Sequence, residues 1–200
     1  MQSGLMGTGK ASFSREPVSW PRRVRRKRVT VRERLDINPD LTPIAMPGRV
    51  FNEMCSHALD AVPEECCGLI TGRPDAPFMG LSRITNVMNK MHLTDPEQYP
   101  LDARVGYYMA ETEYLSAMVQ AEERGETITG VYHSHLNAGA YLSDEDRAYA
   151  ENPLFPFPGA FQVVLSVSGG RIKEVACFSV DPEAGGVYEK LGRLIEVTKE

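Results

Sequence analysis

The sequence predicts an α/β protein whose mixed sheet carries helices on its faces. Three observations lead there. Helix-like and strand-like periodicities follow one another in the order helix, hairpin, helix, strand, helix, hairpin, which suits layers sharing one sheet. The chain has 200 residues, 42% of them hydrophobic and 24% charged, enough for one sizeable core. The apolar runs 161–167 and 171–180 flank Gly169-Gly170, a strong hairpin signal.

The elements can be justified in order. Residues 1–43 are rich in Ser, Gly, Pro and Arg, with the cluster Arg22-Arg23-Val24-Arg25-Arg26-Lys27-Arg28. They are too poor in apolar side chains to pack alone, so a disordered basic arm is expected before a folded domain over 44–200. In 47–61, Val50, Phe51, Met54, Ala58 and Leu59 recur at helical spacing, and Pro63 ends the pattern. Residues 65–71 read as an apolar strand closed by Gly72 and Pro74, with 78–87 as its hairpin partner. Residues 88–107 lack clear periodicity and hold the turn signals Asp95-Pro96 and Tyr99-Pro100, so a binding loop is expected. A helix is predicted over 109–124, where Gly and Pro are absent until Gly125. The Pro-punctuated aromatic stretch 152–158 is either a plug on the core or a lip of a groove. Residues 187–197 are read as a short terminal helix.

The chemistry concentrates in one stretch. Glu126-Thr127-Ile128-Thr129-Gly130-Val131-Tyr132 is β-branched and aromatic, so it runs as a strand into His133-Ser134-His135. Side chains on a strand alternate, which points His133 and His135 the same way, roughly 6.6 Å apart along the chain, and Ser134 the other way. After a loop over 136–142, Ser143 fits the N-cap of a short helix over 144–151, with Asp144, Glu145 and Asp146 in its first turn. Taken singly, His-x-His is ordinary on a strand and Ser-x-x-Asp is a capping pattern. Together, two imidazoles and one carboxylate can converge on a metal ion and leave one tetrahedral position open, as in catalytic zinc sites. Upstream, Glu64 and Glu65 precede Cys66-Cys67-Gly68; composition alone does not choose between them.

With Glu65-x-Cys67-Gly68, His133-Ser134-His135, Ser143 and Asp146 in this order and spacing, the chain resembles the JAMM (MPN-plus, Mov34/PAD-type) zinc metalloproteases from about residue 47 to 180. It looks most like their stand-alone prokaryotic members. The resemblance implies a three-layer α/β/α fold with a central mixed sheet, similar to cytidine deaminases. It implies one catalytic Zn2+ held by His133, His135 and Asp146, with Glu65 as general acid–base and Ser143 as an oxyanion donor. It also implies hydrolysis of a peptide or isopeptide bond at the C-terminus of a ubiquitin-like or sulfur-carrier protein, and it makes 88–107 the candidate for substrate contact. The family usually has Pro directly after the second His; Leu136 stands there, which bears on loop stiffness rather than on the ligands.

Other classes fit less well. A zinc nucleobase deaminase needs His-x-Glu with Pro-Cys-x-x-Cys, which adjacent Cys66 and Cys67 do not supply. A catalytically silent interaction scaffold would lack ligands that are all present here. His57 and His92 have no partner at ligand spacing, and the four cysteines show no disulfide or zinc-knuckle pattern, so reduced core thiols in a cytoplasmic protein are expected. No apolar run is long enough for a membrane span. The net charge of −5 divides into +7 over residues 1–36 and −12 over the rest. An acidic folded part argues against nucleic-acid binding, while the arm suits an acidic partner or resembles a transit peptide. A translation start at Met46 would leave the arm out altogether.

Overall fold

The computed structural model describes residues 34–180, 188 and 191–199. Its strands are β1 (Ile44–Pro47), β2 (Cys67–Arg73), β3 (Ala76–Ile84), β4 (Thr127–Leu136), β5 (Phe161–Ser168), β6 (Arg171–Phe178) and β7 (Arg193–Thr198); its helices are α1 (Gly48–Asp60), α2 (Met88–Thr94), α3 (Glu111–Glu123) and α4 (Asp144–Ala150). The strands form one sheet in the order β1-β7-β6-β5-β4-β2-β3. β1 runs parallel to β7 and β4 parallel to β5; the other neighbours are antiparallel. The sheet is therefore mixed, as expected. A parallel pair needs a crossover, and α4 lies in the one from β4 to β5.

Strand alternation sorts the apolar residues into two cores. Ile70, Tyr132, Val163 and Leu165 face α1, whose Val50, Met54 and Ala58 recur every four residues. Leu69, Val131 and Val164 face the other way, towards Tyr114 and Ala117 of α3. This gives three layers, α1, sheet, and α3 with α4. The aromatic stretch after α4 resolves as a plug: Phe155 and Phe157 are buried in the α3-side core.

Three expectations need correction. Residues 191–199 form no helix: β7 fills the slot between β6 and β1, pairing Leu194 with Ala176 and Ile195 with Ile44. Ile195, Val197 and Thr198 suit a strand, and this long-range pairing decides the outcome; Val187, Glu189 and Lys190 lie outside the described residues. The arm also ends earlier than residue 43. Leu35 is buried, bridged to Leu142, and Ile37 is bridged to Gly192. The disorder expected of residues 1–33 falls outside the described residues. Third, the 88–107 stretch begins with α2 and has a small core of its own, Met88, Tyr99 and Ala103.

Candidate metal centre

Each predicted ligand reaches the site by a separate local device. β4 puts His133 and His135 on the α3 side of the sheet, both buried. Ser143 caps α4: its Oγ accepts the Asp146 N–H at 3.1 Å, while its own N–H donates to Asp146 Oδ2 at 3.2 Å. This reciprocal capping box turns the Asp146 carboxylate back towards the end of β4. The Ser143 hydroxyl donates to the same oxygen.

The three side chains meet. His133 Nε2 lies 3.2 Å from His135 Nε2 and 3.3 Å from Asp146 Oδ2, and His135 Nε2 lies 3.6 Å from that oxygen. His135 Nδ1 is 3.0 Å from the Gly139 carbonyl, an acceptor, so Nδ1 carries the proton and Nε2 presents a lone pair in the neutral ring. Lone pairs and a carboxylate oxygen facing one point repel unless a cation sits among them. A proton meets that need partly: burial lowers the His135 pKa, but the hydrogen bond and charge of Asp146 outweigh it, and the net direction is up. Burial likewise works to raise the Asp146 pKa, and the two imidazoles overcome it, holding the carboxyl well below its usual range. The donor set of two nitrogens and one oxygen, all within 4.8 Å of one another, fits a single metal ion with one position left open. His133 Nδ1 is buried with no hydrogen-bond partner among the described residues, and the ring stacks on Tyr107 at 4.6 Å between centroids. Only Nε2 of His133 is therefore offered to the site.

Glu65 is settled by register. β2 and β4 pair Cys67 with His133, and Cys66 exchanges hydrogen bonds with Ser134 through its carbonyl and its N–H. Continuing one residue sets Glu65 opposite His135 on the ligand side. Glu65 is 6% exposed; burial pushes its carboxyl up to about 8, with His135 pulling down and Asp146 pushing up. Glu64 instead accepts from Asn89 Nδ2 at 2.7 Å near the surface.

Two residues at the site were not found by sequence reasoning. Asn86 donates through Nδ2 to the carbonyls of Glu65 (2.9 Å) and Gly106 (3.1 Å), and its Oδ1 accepts from Met88 and Tyr108 N–H groups. With the Glu65 N–H donating to Ala103 at 2.7 Å, the backbone of Glu65 is fixed on both sides by the 86–108 excursion. The signal available was weak: an Asn at a strand end, the start of an Asx turn. The other is Tyr107, which no pattern marked. Leu136 pairs with Val167 and packs on the α1 side, away from the ligands. His57 bonds Tyr132 and His92 the Tyr99 carbonyl, both away from the cluster. None of the four cysteines is in a disulfide.

Comparison with known proteins gives a family and a fold. The family of prokaryotic homologs of the JAB domain matches residues 47–180. A Desulfitobacterium hafniense protein of solved solution structure has the same fold, with TM-score 0.55 and 21% identity over 78% of this chain and 94% of that one. A Salinibacter ruber protein gives 0.50 and 25% over 76% and 92%. A JAB1/MPN domain protein from Archaeoglobus fulgidus is similar at 0.40 and 13% over 78% and 98%. No curated protein sequence matches the chain. The family match spans both histidines, Asp146, Ser143 and Glu65, and the chain belongs to the prokaryotic JAB-domain family.

Proposed function

We propose that the chain is a zinc-dependent metallopeptidase that hydrolyses a peptide or isopeptide bond at the C-terminus of a ubiquitin-like or sulfur-carrier protein. The observation that carries this reading is the convergence of His133, His135 and Asp146 on one point, with Glu65 set across the strand from His135. Zinc held by these three side chains would leave a fourth position for water and bring that water's pKa towards about 7.

The remaining work falls to the chain's own groups. Glu65 accepts a proton from the attacking water and passes it to the leaving nitrogen, a role typically worth ~10²–10⁴ in rate. Burial alone favours its neutral acid; positive charge at the ligands draws it back towards the carboxylate a base requires. Asn86 and the Ala103 carbonyl keep its backbone from drifting. The Ser143 hydroxyl, which rests on Asp146, can turn to donate to the developing oxyanion. Tyr107 closes one side of His133.

The test is metal analysis of the purified full chain together with cleavage of a ubiquitin-like protein fused at its C-terminus, with and without a chelator. Stoichiometric zinc and chelator-sensitive cleavage are the expected results. A folded chain that binds no zinc would remove the peptidase reading, and one that holds zinc but cuts no such fusion would leave a scaffold. The basic arm is the proposed contact for an acidic partner. Replacing the six cations of residues 22–28 by Gln should weaken partner binding at low salt and leave it unchanged at high salt; equal binding at both would reject that contact.

A further inference from the structure

Residues 34–38 lie outside the family-matched region, yet they touch the loop that holds the ligands. That loop, 137–142, connects His135 to Ser143 and supplies the Gly139 carbonyl to His135. On its inner side the Asn137 N–H donates to the Val167 carbonyl at 2.7 Å, and the Ser166 hydroxyl donates to the Ala138 carbonyl. Asn137 sits at φ 54, a left-handed conformation that Asn tolerates. On its outer side the loop is held by Leu35. Two backbone hydrogen bonds of 3.0 Å link Leu35 and Leu142 in both directions, and the Leu35 side chain is 5% exposed in the same packed cluster as Leu142, Ala140 and Tyr107. Beside it, the Arg34 guanidinium lies 4.5 Å over the Tyr141 ring, whose centroid is 4.8 Å from that of the His135 ring with the two planes tilted by 57°. The far end of the segment is tied to the residue before β7: Asn38 N–H donates to the Gly192 carbonyl at 2.9 Å, and Gly192 N–H to that of Asp36 at 2.8 Å.

We propose that residues 34–38 form a strap that positions the metal ligands, with Leu35 and Arg34 as its positioning residues. The inference rests on the metal-centre reading above and adds a part to it. Leu142 precedes the N-cap Ser143, so a Leu142 tied to Leu35 through both its N–H and its carbonyl fixes where α4 begins and where the Asp146 carboxylate points. Tyr141, held under Arg34, limits the tilt of His135. Neither strap residue reaches the ion; each acts on a group that orients a ligand. Groups bonded directly to a ligand typically control metal affinity by ~10–100-fold, and the strap acts one contact further out. The strap also explains why shortening the chain to Met46 would remove more than a charged tail.

The test uses the full chain carrying Leu35→Asp, Leu35→Ala, Leu35→Met or Arg34→Ala. Zinc affinity is read by competition with a chromophoric chelator, and ligand geometry by the visible absorption of the Co2+-loaded protein. Leu35→Asp should bind zinc ~10-fold or more weakly and change the cobalt spectrum, Leu35→Met should recover most of both, and Arg34→Ala should lose a few-fold. Should Leu35→Asp fail to fold, Leu35→Ala and Arg34→Ala decide alone. Parental affinity and spectrum in the folded Leu35→Ala and Leu35→Asp variants would overturn the strap. Hydrogen exchange at the amides of residues 142–146 separates the two readings. Faster exchange in the Leu35 variants is expected whether or not metal binds. Unchanged protection overturns the strap, whereas a parent chain that takes up no zinc defeats only the metal-centre reading.

Discussion

The two faces of β4 treat their buried polar groups in opposite ways. On the α1 side, Tyr132 and Ser134 are fully buried and satisfied by protein: the tyrosine hydroxyl meets His57 Nδ1 at 2.7 Å, and Ser134 Oγ accepts the Cys66 N–H at 2.9 Å. On the α3 side, His133, His135 and Glu65 are also buried, but His133 Nδ1 has no hydrogen-bond partner among the described residues, and the Nε2 atoms of His133 and His135 face each other at 3.2 Å. Burying a polar group without a partner costs folding free energy. One side of β4 thus satisfies its polar groups within the protein, while the other leaves one imidazole nitrogen without a partner and two facing each other, an arrangement that a bound cation would complete. The same contrast separates the adjacent glutamates, with Glu64 tied to Asn89 and Glu65 held back.

The largest expected effect tests the incomplete side directly. His133→Ala or Asp146→Ala should lower zinc affinity by orders of magnitude, measured by equilibrium dialysis, because each removes one of the three candidate ligands found among the described residues. Retained stoichiometric zinc in either would mean the ion binds elsewhere. Next comes Glu65→Gln, which should keep zinc and lose ~10²–10⁴ in cleavage rate, the scale of general acid–base work. It also has a signature without metal. The folded-state pKa of Glu65 is raised to about 8, so the native chain binds a proton there that the unfolded chain has already lost. Stability of the metal-free parent should therefore fall as pH rises from about 4.5 to about 8, and Glu65→Gln should flatten that slope in urea titrations. A parent and variant with the same slope would place Glu65 in contact with solvent.

Local chemistry made much of this legible. β-branched residues announced β4, alternation put its two histidines together, and the Ser143-x-x-Asp146 pattern is the capping box the structure contains. What stayed hidden depends on partners far away in sequence. β7 is a strand because β6 and β1 flank it, and a solitary Leu35 in a basic run gives no hint that Leu142 waits for it. Asn86 and Tyr107 belong to the same class: their importance lies in what the folded excursion brings to Glu65 and His133. Even the choice of Glu65 over Glu64 follows here from strand register, which composition does not contain.

A smaller effect is expected from the satisfied side. Gly68 pairs with Tyr132, whose ring lies across it; a Cβ there would come within 2.4 Å of that ring and 2.5 Å of the Ser82 carbonyl. Neither neighbour can yield cheaply, since one is backbone and the other a fully buried ring. Gly68→Ala should cost ~1–3 kcal/mol, the range for overfilled cores, read from denaturant midpoints. A neutral result would show that β2 can move away from β3 without penalty, and the two sides would then differ less than their packing suggests.

The smallest effect is the sharpest separation of the two faces. Tyr132 is next to His133 in sequence but projects through the sheet to His57, so Tyr132→Phe should cost only ~0.5–1.5 kcal/mol, the worth of one internal hydrogen bond, and leave zinc affinity and cleavage at parental values. His57 is kept neutral, its pKa lowered to about 4 by burial first and by Arg83 second. The unfolded chain takes up a proton there below about 6.5 that the native chain refuses, so His57 contributes a loss of stability on acidification, opposite in sign to Glu65. Tyr132→Phe removes neither cause and should preserve that acid-side slope, whereas His57→Gln should abolish it. If Tyr132→Phe instead weakened zinc binding, the two faces of β4 would be coupled through the strand backbone, and independence of the satisfied side from the ligand side would have to be given up.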